Sequence, residues 1–263
     1  VDAGKTLQAM DAVAIGNAAG SSTQGIGSVS VGPFAGSMIQ GNSAVAIGYN
    51  AAQSTQGANA IAIGVNCGRS GQLTDAIAIG ILAASSTQGT RAIAIGSSAA
   101  QTKQGTDAIA IGQNAGKGTQ SSEAIAIGKN AATGSQGNQS IAVGSDSGQI
   151  GQGAQAIGIG YRAGYNAQGT LCVAIGNGSA ATQQGARAIA IGANAGIGRQ
   201  GIRAVALGFN SGTYTQGTYA ISIGDSSGYT VQGDYAVAVG QSSGNSTQGD
   251  YAVAVGNRAG NTQ

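Results

Sequence analysis

One glycine recurs every 16 residues along this chain, at Gly16, Gly32 and Gly48 and on to Gly240 and Gly256, without insertion or deletion. A strict internal period constrains a fold more than any other feature, because every unit must adopt the same conformation and bury its apolar atoms against its neighbours. Half a period away stands a glutamine, at Gln8, Gln24, Gln40 and onward to Gln248, present in all 16 units. The run before each glycine alternates small and β-branched residues, as in Ala60-Ile61-Ala62-Ile63-Gly64 and Ala108-Ile109-Ala110-Ile111-Gly112. That alternation has period two and predicts a strand. Glycine after glutamine (Gly25, Gly41, Gly57, Gly89), and Gly or Ala four residues past the strand glycine (Gly20, Gly36, Ala52, Gly68), predict corners. A unit this short has no core of its own. The sequence therefore predicts an all-β parallel β-solenoid (β-roll) of about 16 coils of 16 residues, with two short strands per coil, running through residues 1–263 as a single continuous domain without caps. Sixteen strand spacings of about 4.8 Å make a rod of roughly 75–80 Å.

The two sides of the apolar strand differ. The β-branched columns, Ile61, Ile63, Ile77, Ile79, Ile93, Ile95, Ile109, Ile111, Ile125 and Ile127, are assigned to the solenoid core. The alternate columns, Ala60, Ala62, Ala76, Ala78, Ala92, Ala94, Ala108, Ala110, Ala124 and Ala126, admit almost nothing but Ala, Ser, Gly or Cys throughout the chain. A water-facing column would drift towards larger polar residues, so both sides read as covered. The favoured expectation is a lateral interface with another copy on the alanine side. The alternative is that these alanines face a flattened opposite sheet inside one chain. On the favoured expectation, Ala110→Lys or Ala126→Lys blocks assembly and spares the rod, whereas Ile111→Asp damages folding.

The glutamines, Gln24, Gln40, Gln56, Gln72, Gln88, Gln104, Gln120 and Gln136 among them, never exchange for Glu, Lys or Ser although adjacent columns vary freely. Amides stacked at the strand spacing hydrogen-bond to one another, which predicts an inward or corner-facing glutamine ladder. Asn50, Asn66, Asn114, Asn130, Asn194 and Asn210 share one corner column, where a left-handed turn suits asparagine. Tyr219, Tyr235 and Tyr251 share another and predict an aromatic stack, a candidate contact for a sugar or partner and more commonly a cross-strand stabiliser.

Composition excludes several functions. The chain holds 11 basic and 9 acidic residues, scattered singly, with neither histidine nor tryptophan. It therefore offers no paired acid and base for catalysis and no zinc site, and no enzyme or cofactor is expected. A net charge of +2 supplies no basic stripe for nucleic acid, and no apolar run long enough for membrane insertion occurs. Cys67 and Cys172 stand in alanine-dominated columns too far apart along the solenoid for a disulfide. Gly112-Gln113-Asn114-Ala115-Gly116-Lys117 lacks the spacing and hydroxyl of a phosphate loop. The sequons at Asn138, Asn177 and Asn245 matter only in a secreted eukaryotic protein. Gly4 and Gln8 are already in register and Gln263 falls in mid-turn, so end-to-end stacking of bare coils into a filament is a further expectation.

The segments Ser43-Ala44-Val45-Ala46-Ile47-Gly48 and Asn59-Ala60-Ile61-Ala62-Ile63-Gly64-Val65-Asn66 resemble the head repeats of trimeric autotransporter adhesins of the YadA type, and similar repeats of phage and large-virus fibres. The resemblance implies a left-handed roll that trimerises, displayed on an extracellular, cell or virion surface. This chain departs from it in its unbroken period and its invariant glutamine. Three functions compete: a structural fibre whose partner is itself, an adhesin-type module contacting a surface receptor or glycan, and an ice-binding protein. The last would use the column Thr23, Thr55, Thr87, Thr119, Thr215 and Thr247, which Gly71, Lys103, Arg199 and Val231 interrupt.

Overall fold

Parallel strands joined by tight corners make up the computed structural model, which describes residues 2–261 and leaves Gln263, the expected mid-turn end, outside the described residues. The chain forms two compact units, Val1–Gly134 and Ser135–Gln263. The first holds strands β1 (Leu7–Gln8) to β16 (Ile125–Ile127), and the second holds β17 (Ser135–Gln136) to β32 (Val253–Val255). No helix occurs among the described residues. Each coil contributes one two-residue strand ending on the glutamine and one three-residue strand over the apolar run, as in β13 (Lys103–Gln104) and β14 (Ile109–Ile111).

The register is the repeat itself. Ile93, Ala94 and Ile95 pair in parallel with Ile109, Ala110 and Ile111, and Gln88 pairs with Gln104, each shifted by one period. In the second unit Val173, Ala174 and Ile175 pair the same way with Ile189, Ala190 and Ile191. Corner backbone is hydrogen-bonded between coils as well: Gly64 donates to Ile47 at 2.8 Å, Asn66 to Tyr49 at 2.9 Å, and Gly68 receives order by donating to Ala83 at 2.9 Å. The strand glycine has two reasons to be glycine. Gly64 has φ +133°, and a Cβ there would stand 2.6 Å from the carbonyl oxygen of Gly80 in the next coil.

The core lies where the alanines are, which corrects the assignment of sides. Ala60, Ala62, Ala76, Ala78, Ala92, Ala94, Ala108, Ala110, Ala124 and Ala126 are fully buried within the first unit, so they are not a lateral interface. Ile61, Ile77, Ile93, Ile109 and Ile125 are only half-buried, and Ile63, Ile79, Ile95, Ile111 and Ile127 are exposed by 36–37%. They point outward and are not the core. The reason is thickness. A Cβ built on Gly116, on the opposite wall, would stand 3.3 Å from Ala110 Cβ, and one on Gly68 would stand 3.2 Å from Ala62 Cβ. Two walls this close leave room for a methyl group between them and none for a β-branched side chain. The alternative expectation, a flattened opposite wall within one chain, is what the protein builds.

Candidate functional site

With alanine lining both walls, the glutamines are the largest fully buried side chains among the described residues. Gln56 shows how one is held: its Nε2 donates to Val45 O at 2.8 Å, to Ala60 O at 3.0 Å and to Gln72 Oε1 at 3.1 Å. The amide thus ties its own strand to the apolar strands of two coils and to the amide of the following coil. In the first unit the links run from Gln40 to Gln56 to Gln72, and from Gln88 to Gln104 to Gln120. In the second they run from Gln136 through Gln152 and Gln168 to Gln184, from Gln200 to Gln216, and from Gln232 to Gln248. The ladder expected from the sequence is present and faces inward.

Its interruptions have a local chemistry that the repeat does not advertise. Where serine replaces an inward alanine, its hydroxyl takes the acceptor: Ser30 Oγ donates to Gln40 Oε1 at 2.8 Å, and Ser222 Oγ to Gln232 Oε1 at 2.7 Å. Among the described residues, Gln24 Oε1, Gln88 Oε1 and Gln200 Oε1 are buried and accept no hydrogen bond. Each such oxygen costs about 1–3 kcal/mol of desolvation, so these are weak points of the ladder.

Outside, the molecule presents ladders of a different kind. The two β-branched columns hold only Ile, Val and Leu in every coil, and they form an uncharged stripe on the outer face of the three-residue strands in each unit. The asparagine corner adopts the left-handed backbone expected of it, with φ between +52° and +59° at Asn50, Asn66, Asn114, Asn130, Asn194 and Asn210. It also forms rungs: Asn50 donates to Asn66 at 3.1 Å, Asn114 to Asn130 at 3.0 Å and Asn194 to Asn210 at 3.1 Å.

Tyr219, Tyr235 and Tyr251 are stacked, with centroids 5.0 and 5.1 Å apart and rings within 8° of parallel. Arg203, one coil earlier in that column, hydrogen-bonds Tyr219 and lies 5.2 Å from its ring centre. Ring faces that cover one another leave edges and hydroxyls for a partner. On the same corner of the first unit Arg91 pairs with Asp107 at 2.6 and 2.8 Å. That pairing holds the Asp107 carboxyl below its ordinary range. The threonine column is solvent-exposed, and Lys103 and Arg199 share its exposed face.

Both cysteines are buried and free. Burial pushes the Cys67 thiol up to about 12, and raises that of Cys172, whose Sγ hydrogen-bonds Gly185 O at 2.9 Å. Thiolate is the reactive form, so at pH 8 the native protein is expected to resist iodoacetamide. Mass spectrometry should show no added label on folded protein and two after unfolding; labelling of the native chain would contradict the burial. Among the described residues no three His, Cys, Asp or Glu come together as a metal site, and no helix is long and apolar enough to cross a membrane.

An outward aliphatic stripe, an alanine interior and a left-handed corner every 16 residues define the repeat. Residues 164–195 and 232–259 match the YadA head domain repeat. In those two segments the chain is similar to YadA-type head repeats. Both matched segments lie in the second unit. The first unit has the same strand pairing, the same inward alanines and the same glutamine ladder. No curated protein matches the chain.

Proposed function

We propose that the protein is a structural segment of a surface fibre, extracellular or on a virion, whose copies associate side by side through the outward Ile/Val stripe. The observation that carries this reading is the pairing of a finished interior with an unfinished exterior. The alanine-glutamine core is complete within one chain, while Ile63, Ile79, Ile95, Ile111 and Ile127 stay more than a third exposed in an unbroken row. Covering side chains exposed to that extent recovers about 0.5–1 kcal/mol each. Over many coils this exceeds the cost of bringing two chains together. A second copy suits the stripe because its rungs have the same spacing and no charge needs a partner. The likeness of residues 164–195 and 232–259 to the YadA head repeat, which implies a roll that trimerises, supports an oligomer of copies.

Sedimentation velocity across a concentration series tests this. The parent chain should sediment as an oligomer. Ile95→Lys with Ile111→Lys should raise the concentration needed for association at least about tenfold while leaving the circular dichroism unchanged. A parent chain that stays monomeric at the highest concentration would overturn the reading. The adhesin alternative finds its support in the stacked Tyr219, Tyr235 and Tyr251 with Arg203 beside them, which place three phenol edges and a guanidinium on one exposed corner.

A further inference from the structure

The corner column that holds Asn194 and Asn210 has one position without a side chain in the second unit. That column reads Arg162, Gly178, Asn194 and Asn210 in successive coils. Gly178 has φ +65°, the left-handed backbone of the column, but no side chain to place there. The gap opens a notch of about 410 Å³, walled by Tyr161, Arg162 and Tyr165 on one side and Asn194 on the other, with Asn166 and Thr182 along its edge. This is within the size range of small-ligand sites.

One wall holds an acceptor that the missing side chain leaves unfilled, and the other holds a cation with no acidic partner. Asn194 gives its Nδ2 to Asn210 at 3.1 Å, whereas its Oδ1 accepts no hydrogen bond among the described residues. In the equivalent place Asn66 Oδ1 is filled by Asn50 and Asn130 Oδ1 by Asn114. A Cβ built on Gly178 would stand 3.0 Å from Asn194 Oδ1, so that oxygen leans into the gap. Across from it the Arg162 guanidinium lies 4.3 Å from the Tyr165 ring centre. It makes no ion pair among the described residues. No acidic residue lines the notch.

We propose that this notch binds a single acidic pyranose, a uronic-acid type of sugar. A group placed in the empty rung would lie about 4.8 Å from the rung on either side, so it touches both walls at once. The carboxylate takes the Arg162 fork, in a charge-assisted bond stronger than a neutral one. A ring hydroxyl donates to Asn194 Oδ1. Amides and hydroxyls at Asn166 and Thr182 suit a ligand rich in both donors and acceptors, and Tyr161 offers an apolar face to the ring. The notch lies within one chain, so it stands or falls separately from assembly through the Ile/Val stripe.

Titration with glucuronate, followed by NMR at the Gly178 backbone amide and the Asn194 side-chain amide, tests it, with glucose and acetate as controls. Glucuronate should give saturable shifts at both positions, at an affinity at least tenfold above either control. Gly178→Asn restores the rung with the residue the column already uses at six other coils, so it should fold; it should weaken glucuronate binding at least tenfold. Arg162→Gln should abolish the preference for glucuronate over glucose. Absence of saturable shifts at the notch, acetate binding as tightly as glucuronate, or unchanged binding by Gly178→Asn would each overturn the proposal.

Discussion

Ala110→Lys is expected to prevent the first unit from folding, while Ile111→Asp, one residue away, leaves it folded. Ala110 is fully enclosed, and the backbone of Gly116 on the facing wall would come within 3.3 Å of it through a single added carbon. A lysine stem cannot lie in that gap, and its ammonium would have neither water nor an acid to meet. Leaving a buried charge unpaired costs about 3–5 kcal/mol, and overpacking adds about 1–3 more. The sum is a large share of the stability of an ordinary domain. Ile111 is 37% exposed, so an aspartate there reaches water, and its cost should stay near the 1 kcal/mol of an ordinary surface-facing substitution. Circular dichroism melts and limited proteolysis read both. An Ala110→Lys chain that melts within a few degrees of the parent would mean the alanine column is not the interior. This ordering reverses the one expected from the sequence, in which the lysine spares the rod and the aspartate breaks it.

That reversal marks the boundary of what the sequence makes legible. The period, the strand and the register follow from the spacing of Gly64, Gln56 and Ala60-Ile61-Ala62-Ile63, because each is a statement about distance along the chain. Which side of the strand faces in is a statement about wall separation, and alternation alone is symmetric under exchange of sides. The signal that decides it is size: a column that never exceeds Ala, Ser, Gly or Cys is a column with no space, whereas Ile, Val and Leu interchange freely in the outward columns. The glutamine ladder is legible for the complementary reason, since a residue as long as Gln104 recurs in every coil only where its amide has fixed partners. The notch at Gly178 is not, because one glycine in a corner column that also admits Ala18, Phe34, Leu82, Ser98 and Asp146 looks like ordinary variation until the unfilled Oδ1 of Asn194 is placed beside it.

Gln104→Glu is expected to convert the ladder into a pH-sensitive weak point. Gln104 Nε2 donates to Ile93 O at 2.8 Å, to Ala108 O at 3.1 Å and to Gln120 Oε1 at 3.1 Å. A glutamate oxygen in that place faces three acceptors in a site that is 2% exposed, so ionisation is opposed by desolvation and by every neighbouring dipole. Its folded pKa is therefore raised above the unfolded value of about 4.3. A group raised in this way gives its full stability below the unfolded value, where it is neutral in both states, and loses it as pH rises towards the folded value. The variant should consequently be closest to the parent near pH 4 and fall away by about 3–5 kcal/mol at pH 7, the cost of a buried unpaired charge. Asp107 has the opposite sense, since its partner Arg91 lowers it, so whatever it contributes is lost as pH falls. Gln104→Met separates charge from lost hydrogen bonds: it removes the same donors and should be destabilised equally at both pH values. Thermal melts at pH 4 and pH 7 on the three proteins decide the matter. Parallel loss by Gln104→Glu and Gln104→Met at both would show that the amide does not sit in a cage of acceptors.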